Sequence, residues 1–191
     1  KGLINLMVGN SNFISKLDSV FSEPNKVIVG SYGGMIHEMT EMVMANMGQY
    51  AHGNQPIQHM VYLYNYANQP WKAQFHAREV MRKLYDATEN GYPGDEDQGQ
   101  TSSWYVLSAL GFYSVTPGSG EYVLGSPVFK KTTINLENGK KFIIEAPAND
   151  VRHVYIKSAS LNGKNYTKNY LNHSDLLKGG VLKLEMSVKS S

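Results

Sequence analysis

Cysteine is missing from the 191 residues, which excludes disulfide staples, thiolate metal centres and a cysteine nucleophile. A chain of this length buries an adequate core without covalent help, so the absence says little about compartment. No apolar run reaches the roughly 18 residues that a membrane span needs. Charge of one sign is scarce too: 18 Lys and Arg against 16 Asp and Glu leave a formal +2. A nucleic-acid binder carries a clustered basic face, and this balance gives no support to one. Repeats at solenoid spacing and low-complexity tracts are absent. The sequence opens at Lys1 with no initiator Met and no leader, which reads as the interior of a longer chain. Its length suits one ordinary domain or two small ones.

What is present changes period near Pro117. Before it, Met35, Ile36, Met39, Met42, Val43 and Met47 recur at the spacing of an amphipathic helix. Trp71, Phe75, Val80, Met81 and Leu84 predict a second helix, with Lys72, Arg78, Arg82 and Lys83 toward water. A third is expected from about Gly99 to Tyr113, and the Tyr-rich stretch from Gln58 to Ala67 reads more weakly as helix. After Pro117 the period shortens. Glu137-Asn138-Gly139 lies between two apolar runs, Thr133 to Leu136 and Lys141 to Ala146, and Asn-Gly there is a strong hairpin signal. Asn162-Gly163 repeats the signal between Val154-Tyr155-Ile156 and Tyr166, and Gly179-Gly180 opens the alternating run Val181 to Met186. The expectation is an α+β chain: helices over 1–117, then a small antiparallel β segment over 118–191 packed on them.

Three polar clusters can carry chemistry. Gly94-Asp95-Glu96-Asp97-Gln98-Gly99 puts three acids in a glycine-bounded turn directly before a helix, whose dipole and free N–H groups favour ionised carboxylates. Asp95 and Asp97, two apart, converge on one side of an extended turn. They suit a hard cation such as Ca²⁺, or a base that deprotonates water. The plain alternative is a solvated turn with a cap. His37, Glu38 and Glu41 share one helical stripe, against the alternative of an ordinary solvated edge; the spacing is not that of zinc proteases, because position 41 is Glu. Gly53-Asn54-Gln55-Pro56, followed by Tyr62, Tyr64 and Tyr66, offers oxygen ligands and ring platforms for a sugar, or else core packing. His52, His59 and His76 alone support no metal site. Asn165-Tyr166-Thr167 and Asn172-His173-Ser174 match a glycosylation acceptor that matters only in a eukaryotic secreted protein.

In order along the chain, Ile36-His37-Glu38-Met39-Thr40-Glu41-Met42, Gly53-Asn54-Gln55-Pro56, Tyr62-Leu63-Tyr64-Asn65-Tyr66-Ala67, Gln69-Pro70-Trp71-Lys72, Gly94 through Tyr105, Ser108-Ala109-Leu110-Gly111-Phe112-Tyr113, Pro117-Gly118-Ser119-Gly120-Glu121-Tyr122 and Gly125-Ser126-Pro127-Val128-Phe129 resemble the C-terminal part of glycoside hydrolase family 92. The resemblance continues through Leu161-Asn162-Gly163 and His173-Ser174-Asp175, nearly the whole chain. That family comprises calcium-dependent, inverting exo-α-mannosidases. The resemblance implies that the helices belong to an (α/α)6 toroid and the strands to a sandwich-like segment. It implies that Asp95 or Asp97 is the general base, and that His37 and Glu38 contact the leaving-group sugar and favour α-1,2 linkages. It assigns Ca²⁺ to Asn54, Gln55 and Asp97, with Glu41 as a further ligand. The implied substrate is a mannose-rich oligosaccharide, and the implied location is extracellular or periplasmic.

Two departures accompany the resemblance. Most members read Gly-Asn-Glu-Pro where Gln55 stands here, which removes one carboxylate from the calcium environment, and Gln58 replaces a frequent His. The family's general acid lies upstream of Lys1, so these residues alone are expected to be inactive. They are expected to associate with that upstream part or with one another through exposed apolar faces. The rival expectation, from another class, is a calcium-stabilised carbohydrate-binding module without catalysis.

Overall fold

The computed structural model describes residues 2–190. Two N-terminal helices, α1 (Gly2–Leu6) and α2 (Asn10–Ser22), precede α3 (His37–Ala45), α4 (Pro70–Leu84) and α5 (Gln100–Leu110). The periodicity reading did not single out α2, although Phe13 and Leu17 are buried with Phe21 packed beside them, and Val20 and Phe21 also pack on the Tyr50–Trp104 cluster, an i, i+4, i+7, i+8 stripe. The Tyr-rich stretch is a 3₁₀ helix, Met60–Ala67, burying Val61, Tyr62, Tyr64, Asn65 and Ala67. Tyr62 and Tyr64 are fully buried, so they pack the core and give no ring platform to a sugar.

Helix α4 starts with Pro70 in its first turn, where the missing N–H has no partner to lose, and ends on Arg82 and Lys83, which suit the negative end of the dipole. Its buried residues Ala77, Val80 and Met81 pack with Tyr50, Val61, Tyr62, Trp104 and Tyr113 into the largest helical core cluster, while Ala73 joins Phe13, Leu17 and Tyr64 in a second one. Helix α5 stops earlier than its periodicity predicts. Gly111 adopts φ 103°, a conformation that costs a Cβ-bearing residue energy, and its N–H bonds back to Leu107 and Ser108. Phe112 and Tyr113, expected to be helical, form strand β1 instead. Helix α3 is also shorter than its stripe: Met42 is buried, while Met35 and Val43 are 55% and 38% exposed.

Strands β1 (Phe112–Tyr113), β2 (Glu121–Leu124) and β7 (Tyr170–Asn172) form one antiparallel sheet. A second sheet holds β3 (Lys131–Asn135), β4 (Lys141–Glu145), β5 (Tyr155–Leu161), β6 (Lys164–Asn165) and β8 (Gly180–Ser187) in the order β3-β4-β8-β5-β6. Both Asn-Gly turns form as expected. Asn135 pairs with Lys141 around the first, and Leu161 with Lys164 around the second, where Asn162 and Gly163 both take positive φ as a type I′ turn requires. One pair is parallel: β8 returns alongside β4 after a long excursion that includes the short α6 (His173–Leu176). Phe142, Ile144, Leu182 and Leu184 from the facing strands form the core of this sheet with Leu171 and Phe112.

Helix α4 ties the two layers together. Gln74 Oε1 accepts the N–H of Ile156 on β5 at 2.9 Å. Arg78 donates to the carbonyl of Pro127, to Asn149 Oδ1 at 2.8 Å and to the Asp150 carbonyl at 3.0 Å. These bonds fix the β layer against the helices, with the acidic turn at the start of α5. No described helix is long and apolar enough to cross a membrane.

Candidate functional site

The acidic turn is held by the first turn of the helix that follows it. Its three successive carbonyls are each taken: Asp95 O by Thr101 Oγ1 at 2.8 Å, Glu96 O by Thr101 N at 3.2 Å, and Asp97 O by Gln100 N at 3.2 Å. The Glu96 carboxylate turns inward and accepts the N–H groups of Gly99 and Ser102; the Ser102 side chain first, and then these N–H groups, hold its pKa below the usual value. The capping task therefore falls on the middle acid, leaving its two neighbours free of it. Asp97, Gln98 and Gly99 run consecutively through positive φ, at 53°, 57° and 98°. Two non-glycine residues in that region are strained, a condition concentrated at functional sites.

Asp95 and Asp97 are both exposed but belong to different groupings. Asp95 Oδ2 lies 3.7 Å from His37 Nε2, which lies 3.4 Å from Glu38 Oε1. Glu41 completes this set on the same helical stripe. Desolvation by its surroundings raises the Glu41 pKa, Asp95 and Glu38 add to the rise, and His37 opposes it. Its Oε2 is buried without a hydrogen-bond donor and lies against the backbones of Gly53 and Gly94. Position 94 admits only glycine: a Cβ there runs into the Gly53 backbone and then the Glu41 carboxylate, at φ +68°, whereas a Cβ on Gly53 would have to displace the Glu41 carboxylate. Asp97, by contrast, lines a hollow of about 500 Å³ with Gln55, Gln98, Gly99, Gln100 and Ser103.

The anticipated metal-ligating set is thus divided. Gln55 and Asp97 share the hollow, whereas Glu41 sits one residue from Asn54 and from Asp95, across Gly53 and Gly94. Asn54 accepts the Ile57 N–H through its carbonyl and opens the short turn Gln55–Ile57. Among the described residues, no three His, Asp or Glu side chains group closely enough to hold a metal by themselves. A cation here would need amide, carbonyl and water oxygens beside the carboxylates. That donor chemistry fits Ca²⁺, and the donorless Glu41 oxygen is the observation in its favour.

Beneath the turn runs a buried polar network that sequence reasoning did not foresee. Tyr85 Oη donates to the Thr101 carbonyl at 3.1 Å, so His52 Nε2–H must donate to Tyr85 (2.9 Å) and its Nδ1 accepts from Tyr50 (2.7 Å). Burial pushes the His52 pKa down to about 3, which keeps it neutral. It is a core residue. Trp104, fully buried, donates through Nε1 to the Gln58 carbonyl at 2.9 Å.

Residues 1–188 match the profile of the glycosyl hydrolase family 92 catalytic domain. The chain belongs to glycosyl hydrolase family 92. Among solved structures it is 55% identical, with a TM-score of 0.83, to a family 92 inverting mannosidase from Bacteroides thetaiotaomicron, over 98% of this chain and 26% of that one. A second Bacteroides thetaiotaomicron protein, a family 92 α-mannosidase, is 34% identical with a TM-score of 0.80, over 95% of this chain and 22% of that one. An uncharacterized secreted glycosidase of Arthroderma benhamiae is 29% identical over 99% of this chain and 22% of its own length. The chain therefore spans about a quarter of the length of these relatives.

Proposed function

We propose that this chain is the C-terminal part of the catalytic region of a calcium-dependent, inverting exo-α-mannosidase that trims mannose-rich glycans, α-1,2 linkages first, outside the cytoplasm. Family 92 membership and the printed names of the two Bacteroides relatives support the reaction class. The observation that carries the site is the division of labour in the acidic turn. Glu96 is committed to the helix, while Asp95 and Asp97 stand unbound by it, one beside His37 and one in the Gln55 hollow.

In an inverting hydrolysis, one carboxylic acid protonates the leaving oxygen while a carboxylate on the opposite face takes a proton from water. Asp95 or Asp97 supplies that carboxylate here, and the partner acid comes from outside these residues. The base needs a fixed position, and the three carbonyl anchors of the turn supply it. His37 and Glu38, at the exposed start of α3, hydrogen-bond the leaving sugar. Asn54, Gln55, Asp97 and Glu41 would hold Ca²⁺ through oxygen, with Gln55 serving through its amide. The ion, when bound, orients sugar hydroxyls and offsets the charge of the carboxylates.

The helices α1–α5 are proposed as part of an (α/α)6 toroid, with residues 118–191 as the segment packed on it. Leu6, Val8, Ile28 and Met44 are 82%, 86%, 90% and 78% exposed; in this reading the remainder of the protein covers them. A chain cut off from that remainder would self-associate through them.

The anomer of the released mannose tests the reading. With the full-length protein and an α-mannoside, proton NMR at early times should show β-mannose accumulating first. First release of α-mannose excludes inversion, and binding without turnover favours the carbohydrate-binding module instead.

A further inference from the structure

Thr101 and Gln58 are fully buried polar side chains at a place where valine and methionine would fill the same space. Burying such groups costs stability unless every hydrogen bond is made. Here the bonds tie the loop before Gln58, the acidic turn and the first turn of α5 to one another. Gln58 Nε2 donates to Thr101 Oγ1 at 3.1 Å and to the His52 carbonyl at 3.3 Å, and Thr101 Oγ1 passes its own hydrogen to the Asp95 carbonyl. Gln58 Oε1 accepts from Gln100 Nε2 at 3.2 Å, which fixes the orientation of the amide. The Gln58 backbone N–H meanwhile bonds the Gln55 carbonyl at 3.3 Å.

We propose that Gln58 and Thr101 are positioning residues, whose hydrogen-bonded pair sets the acidic turn in register with the Asn54-Gln55 loop. A continuous chain of bonds leads from Gln55 through Gln58 and Thr101 to Asp95. Neither side chain is exposed, so neither reaches a substrate; both act through the residues they hold. The pair is cooperative, because removing one partner leaves the other with a buried hydrogen-bonding position unfilled. Displacing a catalytic group by about 1 Å can cost about 10²-fold in rate, and without this link the strained turn 97–99 has less to hold it.

The activity readout of this inference rests on the mannosidase reading, so the test carries a second readout that does not. In the full-length protein, Thr101→Val, Thr101→Ser, Gln58→Met and the Thr101→Val, Gln58→Met double variant are compared for kcat and KM on an α-mannoside. The same proteins are compared for hydrogen exchange of the Gln100 and Thr101 amides. Valine keeps the shape and loses the hydroxyl; serine does the reverse. Positioning predicts that Thr101→Val and Gln58→Met each lose about 10²-fold in kcat with little change in KM. Thr101→Ser should stay near wild type, and the double variant should fall no further than the singles. The two amides should exchange about tenfold faster in the Val and Met variants only. If the protein turns over no mannoside, the mannosidase reading fails and the exchange order alone decides. A serine variant as impaired as the valine one, or valine and methionine variants unchanged, overturns the proposal.

Discussion

The Asp95 carboxylate stands 3.7 Å from His37 Nε2, joining the acidic turn to the first turn of helix α3. Both side chains are largely exposed, at 76% and 62%, so the contact adds little to stability. Its interest is placement: it brings a candidate base and a candidate leaving-group contact to one rim. His37→Ala is expected to lower kcat/KM on a mannobiose by about tenfold, the size of one hydrogen bond to a sugar hydroxyl. An aryl mannoside, which puts no sugar in that position, should be nearly unaffected. Equal losses on both substrates would remove His37 from the leaving-group side.

Gly94→Ala should destabilise the fold by about 1–3 kcal/mol. The added Cβ meets the Gly53 backbone and the Glu41 carboxylate, and the φ of +68° disfavours any L side chain. Thermal unfolding reads the effect. An unchanged Tm would mean that the close approach of the two glycine loops is dispensable.

His76 gives the protein an acid limb. It stacks on Phe21 at 3.8 Å and Tyr64 at 5.5 Å, and its Nδ1 has no partner. Burial pushes its pKa down from 6.5 to about 4, against the pull of Glu79 and Asp18. The unfolded chain therefore takes up the proton first. Stability is full above about pH 6.5 and falls as the pH drops toward 4, by up to about 1.4 kcal/mol per pH unit for this group. His76→Phe should flatten that part of a plot of urea midpoint against pH, and an unaltered slope would contradict the assignment.

Calcium should bind before any chemistry. Saturating Ca²⁺ is expected to raise the Tm, by linkage worth about 2.7 kcal/mol at a hundredfold excess over Kd. Glu41→Gln, which keeps the shape and removes the charge, should weaken binding in titration calorimetry while preserving the fold. Affinity equal to wild type would strike Glu41 from the ligand set.

Much of the architecture was legible from local signals. Helix α4 and the Asn138-Gly139 and Asn162-Gly163 turns formed where periodicity and turn chemistry placed them. The 3₁₀ geometry of Met60–Ala67 was not legible, because its tyrosines are placed by tertiary burial and their own spacing does not fix the winding. The end of α5 was overrun because Phe112 and Tyr113 continue the apolar pattern, while the signal that stops the helix is the single residue Gly111. The parallel pairing of β4 with β8 depends on a contact distant in sequence that no local pattern encodes.

The site was legible in part. His37, Glu38 and Glu41 fall in the first turns of α3, the helix their spacing predicts. Nothing in the sequence distinguished Glu96 from its two neighbours; three acids in a row look alike until one turns inward to the helix N–H groups. Spacing also did not reveal that Asp95 lies against His37 while Asp97 lines the Gln55 hollow. Gln58 and Thr101 were hidden for a different reason. Thr101 lies in a resembling stretch and Gln58 departs from one, but what they do emerges only from what they bond.

The most direct measurement is the turnover of Asp95→Asn and Asp97→Asn in the full-length protein, with thermal unfolding as the control for folding. Loss of a general base predicts that at least one variant falls by about 10²–10⁴-fold in kcat while its Tm stays that of wild type. If both fold normally and both hydrolyse α-mannosides at the wild-type rate, the acidic turn does not supply the base.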